Sequence, residues 1–271
     1  KMKVIAACGN GTAGAFAPRI LEKLGVDVIP LDAELDHSFP RYNPNPEDME
    51  MLHAMAHAVK EHKADVAIGF DGDGDRVMMV DSEGNLLDGD QLLYIIAAHR
   101  HQQGLLVGGI AGTLMTNLAL EHAFKTASIN FSRAKVGDRY VREMLVENGW
   151  QLGGENSGHI LCLDKHTSGD GIIAALQVLA ALKAQKQTLS TVGKALTLYP
   201  QVLINVPVKQ RIDMNANPAI QASVKAAEQA LNGSGRILLR ASGTELKLRV
   251  MVEGQDGQLV KKLATQIAEV V

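Results

Sequence analysis

Gly69-Phe70-Asp71-Gly72-Asp73-Gly74-Asp75-Arg76 follows an apolar run beginning at Val66, so three carboxylates alternate with glycines at the end of a strand. Carboxylates this close repel one another, and gathering them is tolerable where a hard dication takes up their charge. Gly72 and Gly74 allow the sharp turns that let Asp71, Asp73 and Asp75 converge. An oxygen-only donor set with few positions points to Mg²⁺, its octahedron completed by water or a substrate phosphate. An EF-hand loop would need a Glu at its twelfth position, where this sequence has Ser82, and its sixth position is Arg76. A merely solvated acidic turn requires neither the strand before it nor Arg76 beside it.

Upstream of this cage, Lys3 to Ala7 has a strand pattern with no helix or cap before it, which reads as a cut end. Cys8-Gly9-Asn10-Gly11-Thr12-Ala13-Gly14 then opens a helix whose apolar positions are Phe16, Ile20, Leu21 and Leu24. Its glycines do not match the spacing of a dinucleotide fingerprint, so a tight strand-to-helix turn is expected. Val26 to Leu31 reads as a strand, and the three prolines of Phe39 to Pro46 (FPRYNPNP) as a loop. Glu47 to His62 reads as a helix with Met51, Met55 and Val59 on its apolar face. His53, His57 and His62 on that helix lack the Glu of a zinc motif and read as solvated. Beyond the cage come a strand from Arg76 to Asp81, a turn at Glu83-Gly84-Asn85 and a helix from Gly89 to His101. Residues 1–103 therefore read as one layered α/β domain with its metal loop at a strand's carboxyl end.

The next stretch, residues 104–197, echoes the first and reads as a second α/β domain. Leu105 to Gly109 is the expected opening strand, Gly112-Thr113 precedes a helix, and Asn130 to Lys135 is a further strand. Asp138 is placed to cap the helix after it, and Lys135 stands at a strand end where an anion could meet it. Gly153-Gly154-Glu155-Asn156-Ser157-Gly158-His159 is a second dense polar site. Its carboxylate, amide and hydroxyl can fork sugar hydroxyls, and its imidazole can exchange a proton. Thr167-Ser168-Gly169-Asp170-Gly171 opens a long helix whose amides could face an anion. Thr126-Ala127-Ser128-Ile129-Asn130 looks like a nucleophile loop but has no base near it in sequence, so a plain connector is expected.

Residues 198–271 read as a smaller α+β domain. Strands at Val202 to Val208, Arg236 to Arg240 and Leu248 to Glu253 alternate with helices at Ala219 to Leu231 and Leu259 to Val270. Between the last two strands, Arg240-Ala241-Ser242-Gly243-Thr244-Glu245 offers a guanidinium, two hydroxyls and a glycine that frees backbone amides, the parts of a phosphate cradle. Composition bounds the whole: a net charge of −3 points to no nucleic acid and no anionic membrane. No apolar run approaches the roughly 18 residues of a membrane span. Cys8 and Cys162, in separate apolar runs, read as buried thiols of a reducing compartment, with the cytoplasm as the expected location.

In that order, DGDGDR, GENSGH and RASGTE resemble the α-D-phosphohexomutase family, which moves phosphate between the 6- and 1-positions of a hexose. The resemblance implies that Asp71, Asp73 and Asp75 hold Mg²⁺ and that Arg76 assists beside the phosphate. It gives Glu155, Asn156 and Ser157 to the sugar, and Lys135 and His159 to binding or proton transfer. Arg240, Ser242, Gly243 and Thr244 would hold the phosphate that is not transferred. A hexose phosphate is the implied substrate and a hexose 1,6-bisphosphate the implied activator.

Within the family, the sequence from about Val77 onward is similar to the phosphoglucosamine mutase branch, whereas GNGTAGAFAP and FPRYNPNP are closer to the phosphomannomutase/phosphoglucomutase branch. A crossover near the metal loop would explain the change. The family also carries an N-terminal domain with a phosphoserine loop of the form TASHNP or SASHNP, which nothing here matches. The three segments thus look like the second to fourth domains of a four-domain enzyme, expected to be inactive without the missing one. Leu246 stands where the family has proline, leaving the phosphate turn less rigid.

Overall fold

Lys3–Ala7 (β1) forms the parallel centre of a first sheet, with Asp27–Leu31 (β2) on one side and Val66–Phe70 (β3) on the other. Val77–Asp81 (β4) and the short Leu86–Leu87 (β5) extend it antiparallel, giving the order β2-β1-β3-β4-β5. Our computed structural model describes residues 1–210, 213–242 and 245–271. Helix α1 (Ala17–Lys23) packs on β2. It buries Ala17, Pro18 and Leu21, while Phe16 and Leu24 stay exposed, so half of the expected apolar face is outside the core. Helix α2 (Met49–His62) begins two residues later than expected because Asp48 caps it, accepting from the Glu50 amide at 2.9 Å. Met51, Met55 and Val59 are buried as the spacing predicts, and His53, His57 and His62 are exposed. A side chain at Gly69 would sit 2.6 Å from the Met55 sulfur, so the methionines of this helix lie directly over the strand that delivers the acidic loop.

The second sheet repeats the first. Gly109–Thr113 (β6) is central, flanked in parallel by Asn130–Ala134 (β7) and Leu152–Gly154 (β8), with Ile160–Cys162 (β9) antiparallel beyond β8. Its order β7-β6-β8-β9 matches the first four strands of the first sheet, β2-β1-β3-β4. The opening strand lies four residues later than Leu105 to Gly109. Leu105 and Val107 are exposed, and the buried strand is GIAGT. Small residues are required there: a Cβ at Gly109 would meet the Asn130 carbonyl at 2.7 Å and the Trp150 ring at 2.8 Å. Helices α3 (Gly89–Gln102), α4 (Leu118–Thr126), α5 (Asp138–Asn148) and α6 (Gly171–Gln185) follow, with a short α7 (Leu189–Gly193). Both α3 and α6 pack on strands of both sheets, which joins residues 1–116 and 120–197 into one unit.

The other unit comprises residues 117–119 and 198–271. Strands Gln201–Pro207 (β10), Gly235–Ala241 (β11) and Lys247–Gly254 (β12) form an antiparallel sheet in the order β10-β12-β11, covered by α8 (Pro218–Leu231) and α9 (Gly257–Val270). Val250, Val252, Val260, Ala264 and Ile267 are fully buried between sheet and helices. Glu253, equally buried, is satisfied by the Arg236 guanidinium, the Gln201 amide and the Leu118 backbone N–H. Among the described residues no helix is long and apolar enough to cross a membrane.

Candidate active site

The turn after β3 draws one oxygen from each of Asp71, Asp73 and Asp75 to within 4.8 Å of the others. Asp71 is buried and fixed by its own loop: Oδ1 accepts from the Gly74 and Arg76 amides at 3.1 and 3.0 Å, and Oδ2 accepts from Arg76 Nε at 2.8 Å. Burial pushes its carboxyl up, but the Arg76 amide, the Arg76 guanidinium and a hydrogen bond from Asp73 hold it below the usual carboxylate range. At Asp75 burial wins. Opposed by His159 but reinforced by the charges of Asp71 and Asp73, it lifts that carboxyl to about 6. Three all-oxygen donors within 4.8 Å of one another could close onto a Mg²⁺ octahedron, whose ligands lie about 3.0 Å apart in cis and about 4.2 Å in trans, with small side-chain adjustments. The repulsion that raises Asp75 points the same way, since a dication would relieve it.

The loop is held from three sides. The glycine-rich turn after β1 supplies one: the Thr12 amide and hydroxyl both donate to the Gly72 carbonyl, at 3.0 and 3.1 Å. FPRYNPNP supplies the second, with Pro44 against Gly9 and Gly72 and the buried Tyr42 hydroxyl donating to Asp32. That loop also presents Asn45 Oδ1 and Glu47 Oε2 to Arg76 Nη1, at 3.5 and 3.7 Å. The third is the start of α6, whose Gly171 amide donates to the Gly74 carbonyl at 2.9 Å. With Ile173 N–H taken by Asp170, the amides of that helix start are largely engaged, so they support the loop instead of receiving an anion.

GENSGH is joined directly to this loop. Arg76 and His159 form an isolated antiparallel bridge, the Val77 amide donates to the Gly158 carbonyl at 3.0 Å, and His159 Nδ1 lies 3.2 Å from Asp75 Oδ2. Glu155 is buried, and its Oε1 accepts the Gly137 amide at 2.9 Å, tying in the Lys135-Val136-Gly137 turn. Gly137 itself is the N-cap residue of α5, at φ 126°, and Asp138 is the first helical residue without capping, a correction to the expected role. Asn156 and Ser157 are half-buried with no side-chain hydrogen bond among the described residues, so their polar atoms are open to a ligand. Lys135 is exposed, its Nζ 5.6 Å from the centre of the Tyr140 ring. Ser128 sits exposed in the turn after α4, at φ 58°, as a connector. Both cysteines are buried free thiols, pushed up by burial to about 12 at Cys8 and about 11 at Cys162.

In the other unit, Ser242 is buried at the end of β11 and its hydroxyl accepts from the Glu245 amide at 3.2 Å. Gly243 and Thr244 lie outside the described residues. Arg249, which sequence reasoning missed, stands directly opposite Arg240 across β11 and β12. Burial, then the Arg249 charge, lowers the Arg240 pKa, and Arg249 Nε is buried with no hydrogen-bond partner among the described residues. Two adjacent guanidiniums beside Ser242 suit a dianion. The signal was present in LKLRVMV, where Arg249 interrupts an apolar strand at the register of Arg240.

Comparison with known proteins places these loops in a family. Models of phosphoglucomutase/phosphomannomutase match domain by domain: alpha/beta/alpha domain II over residues 1–84, alpha/beta/alpha domain III over 88–199 and the C-terminal domain over 203–270. A phosphoglucosamine mutase of Methylobacillus flagellatus is 60% identical over 273 aligned residues, covering 100% of this chain and 59% of that protein. One from Thiobacillus denitrificans is 51% identical, covering 100% of this chain and 58% of that protein. These matches run through the residues before the acidic loop as well as after it. The chain thus spans somewhat under three fifths of these relatives' length. Among solved structures, a phosphoglucomutase/phosphomannomutase family protein from Burkholderia thailandensis aligns with a TM-score of 0.82 at 22% identity, covering 99% of this chain and 60% of that one. Aspergillus fumigatus N-acetylphosphoglucosamine mutase, solved with GlcNAc-6P and magnesium, aligns at 0.78 and 20% identity, covering 100% of this chain and 66% of that one.

Proposed function

The chain belongs to the phosphoglucomutase/phosphomannomutase family of phosphohexomutases, and on that premise we propose that it supplies three of the sites by which glucosamine 6-phosphate and glucosamine 1-phosphate are interconverted. The observation that supports this reading is the junction of the acidic loop with GENSGH through the Arg76–His159 bridge, which sets the three carboxylates beside the loop read here as the sugar site. Asp71, Asp73 and Asp75 would hold Mg²⁺, which when bound draws charge from phosphoryl oxygens. Arg76, oriented by Asp71 and by Asn45 and Glu47, would meet the phosphate beside the ion. Glu155, Asn156 and Ser157 orient the hexose, Lys135 adds positive charge at the neighbouring turn, and His159 completes the catalytic set implied by the resemblance. Arg240, Ser242, Gly243 and Thr244, with Arg249, grip the phosphate that stays in place. These roles divide the chain into metal-binding (1–103), sugar-binding (104–197) and phosphate-binding (198–271) domains, acting in the cytoplasm.

The transferred phosphoryl group would pass through a phosphoserine and a hexose 1,6-bisphosphate, chemistry that rests on positioning and electrostatics. Identity of 60% and 51% to phosphoglucosamine mutases favours the amino sugar over mannose or glucose phosphate. Calorimetry with glucosamine 6-phosphate and mannose 6-phosphate in the presence of Mg²⁺ tests this. Tighter binding of the amino sugar, lost in Arg240→Ala, is expected; preference for mannose 6-phosphate would return the chain to the phosphomannomutase branch.

A further inference from the structure

We propose that His159 is a positioning residue that fixes Asp75 as a metal ligand, so that ion binding at the acidic loop and the order of the GENSGH loop are coupled. The inference rests on the reading of Asp71, Asp73 and Asp75 as a Mg²⁺ site. Two of those carboxylates differ in how they are held. Asp71 takes two amides and the Arg76 guanidinium from within its own loop. Asp75, with its side chain 40% exposed, accepts no backbone amide among the described residues, and Arg76 Nε reaches it only at 4.0 Å. Its close nitrogen partner is His159 Nδ1, at 3.2 Å.

His159 is held in place for that contact. The residue is 7% exposed, and its backbone is pinned by the bridge to Arg76 and by the Glu155 amide donating to its carbonyl at 3.0 Å. Its far edge lies on Gly169, where an added Cβ would be 2.1 Å from Nε2, so the ring fills a slot that only glycine leaves open. Nε2 is buried and has no partner among the described residues, which leaves Asp75 as the group the imidazole addresses. Carboxylates and imidazoles next to a metal commonly work this way: an outer hydrogen bond fixes the ligand's orientation, and its loss costs roughly tenfold to a hundredfold in metal affinity. Because the same residue continues into Gly158 and Ser157, restraint of Asp75 by an ion is transmitted to the sugar loop.

Mg²⁺ titration of the chain by calorimetry, with backbone amide shifts of Ser157 and Gly158 read alongside, tests the coupling. His159→Leu fills the slot without a donor and should weaken Mg²⁺ binding about tenfold or more, abolishing the Mg²⁺-induced shifts at Ser157 and Gly158. His159→Asn, which can place an amide N–H near the Nδ1 position, should restore most of the affinity. Wild-type affinity in a folded His159→Leu protein, with binding still lost in Asp73→Asn, would overturn the coupling while leaving the metal site intact. Equal losses in the Leu and Asn variants would reduce His159 to a packing role and overturn it as well. No Mg²⁺ binding to the wild-type chain would remove the metal reading itself, and the inference with it.

Discussion

Arg240 and Arg249 illustrate how residues proposed to grip a phosphate can oppose stability at the level of single residues. Like charges directly opposite one another on paired strands are destabilising, and here burial and the Arg249 charge both depress the Arg240 pKa. Glu245 offers little relief: it is exposed, and its low pKa comes chiefly from Lys247, with a smaller contribution from Arg249. A bound dianion would satisfy both guanidiniums at once. Arg249→Leu is therefore expected to raise the melting temperature of the free chain by a degree or more while weakening hexose phosphate binding by roughly 1.5–3 kcal/mol, the worth of charge-assisted hydrogen bonds. Thermal unfolding and calorimetry on the same preparation check the two signs. A variant that loses stability and keeps its affinity would exclude Arg249 from the cradle.

Helix α3 shows the same tension at the level of an element. Asp88 caps it in a reciprocal capping box with Gln91, and burial, with some help from the Glu47 charge and against the Gln91 and Asp90 amides, lifts its carboxyl to about 6. A carboxyl whose folded pKa is raised contributes stability below its unfolded pKa, about 4, and that contribution is lost as pH rises through 6. Asparagine caps as well as aspartate and does not ionise. Asp88→Asn should therefore gain up to roughly 2 kcal/mol relative to wild type at pH 7.5 and nothing at pH 4, measured as unfolding midpoints at the two values; an equal effect at both would refute the linkage. Elements such as α2 and β3 were legible because their apolar spacing coincides with their buried face. β6 was displaced because its strand is built of glycine and alanine, whose placement is fixed by the Trp150 ring and the Asn130 carbonyl, contacts remote in sequence. Likewise, the acidic and GENSGH loops could be picked out by composition, but their junction depends on how β4 meets the turn before β9, and the Glu155 contact to Gly137 on a tertiary approach that no local pattern encodes.

At the scale of the whole molecule, the two sheets of similar strand order share α3 and α6, and that sharing brings the acidic loop of one against the GENSGH loop of the other. On the reading proposed above, that junction would hold a cation beside a hexose. Phosphoryl transfer further requires a donor in line with the acceptor oxygen and facing the metal. The 271 residues contain no serine loop of the family's donor type, and the Ser128 hydroxyl, in its exposed turn after α4, makes no hydrogen bond to a base among the described residues. The chain alone is accordingly expected to bind hexose phosphate but to give no conversion of 6-phosphate to 1-phosphate, even with Mg²⁺ and a hexose 1,6-bisphosphate primer. Supplying a phosphoserine-bearing N-terminal domain from a relative, fused or in trans, should restore turnover only while its serine is intact. The measurement is product formation by the purified chain. Turnover that persists in Ser128→Ala and vanishes in Asp73→Asn would mean that the sites on this chain suffice, because the metal loop would then be serving a phosphoryl donor drawn from the bisphosphate itself.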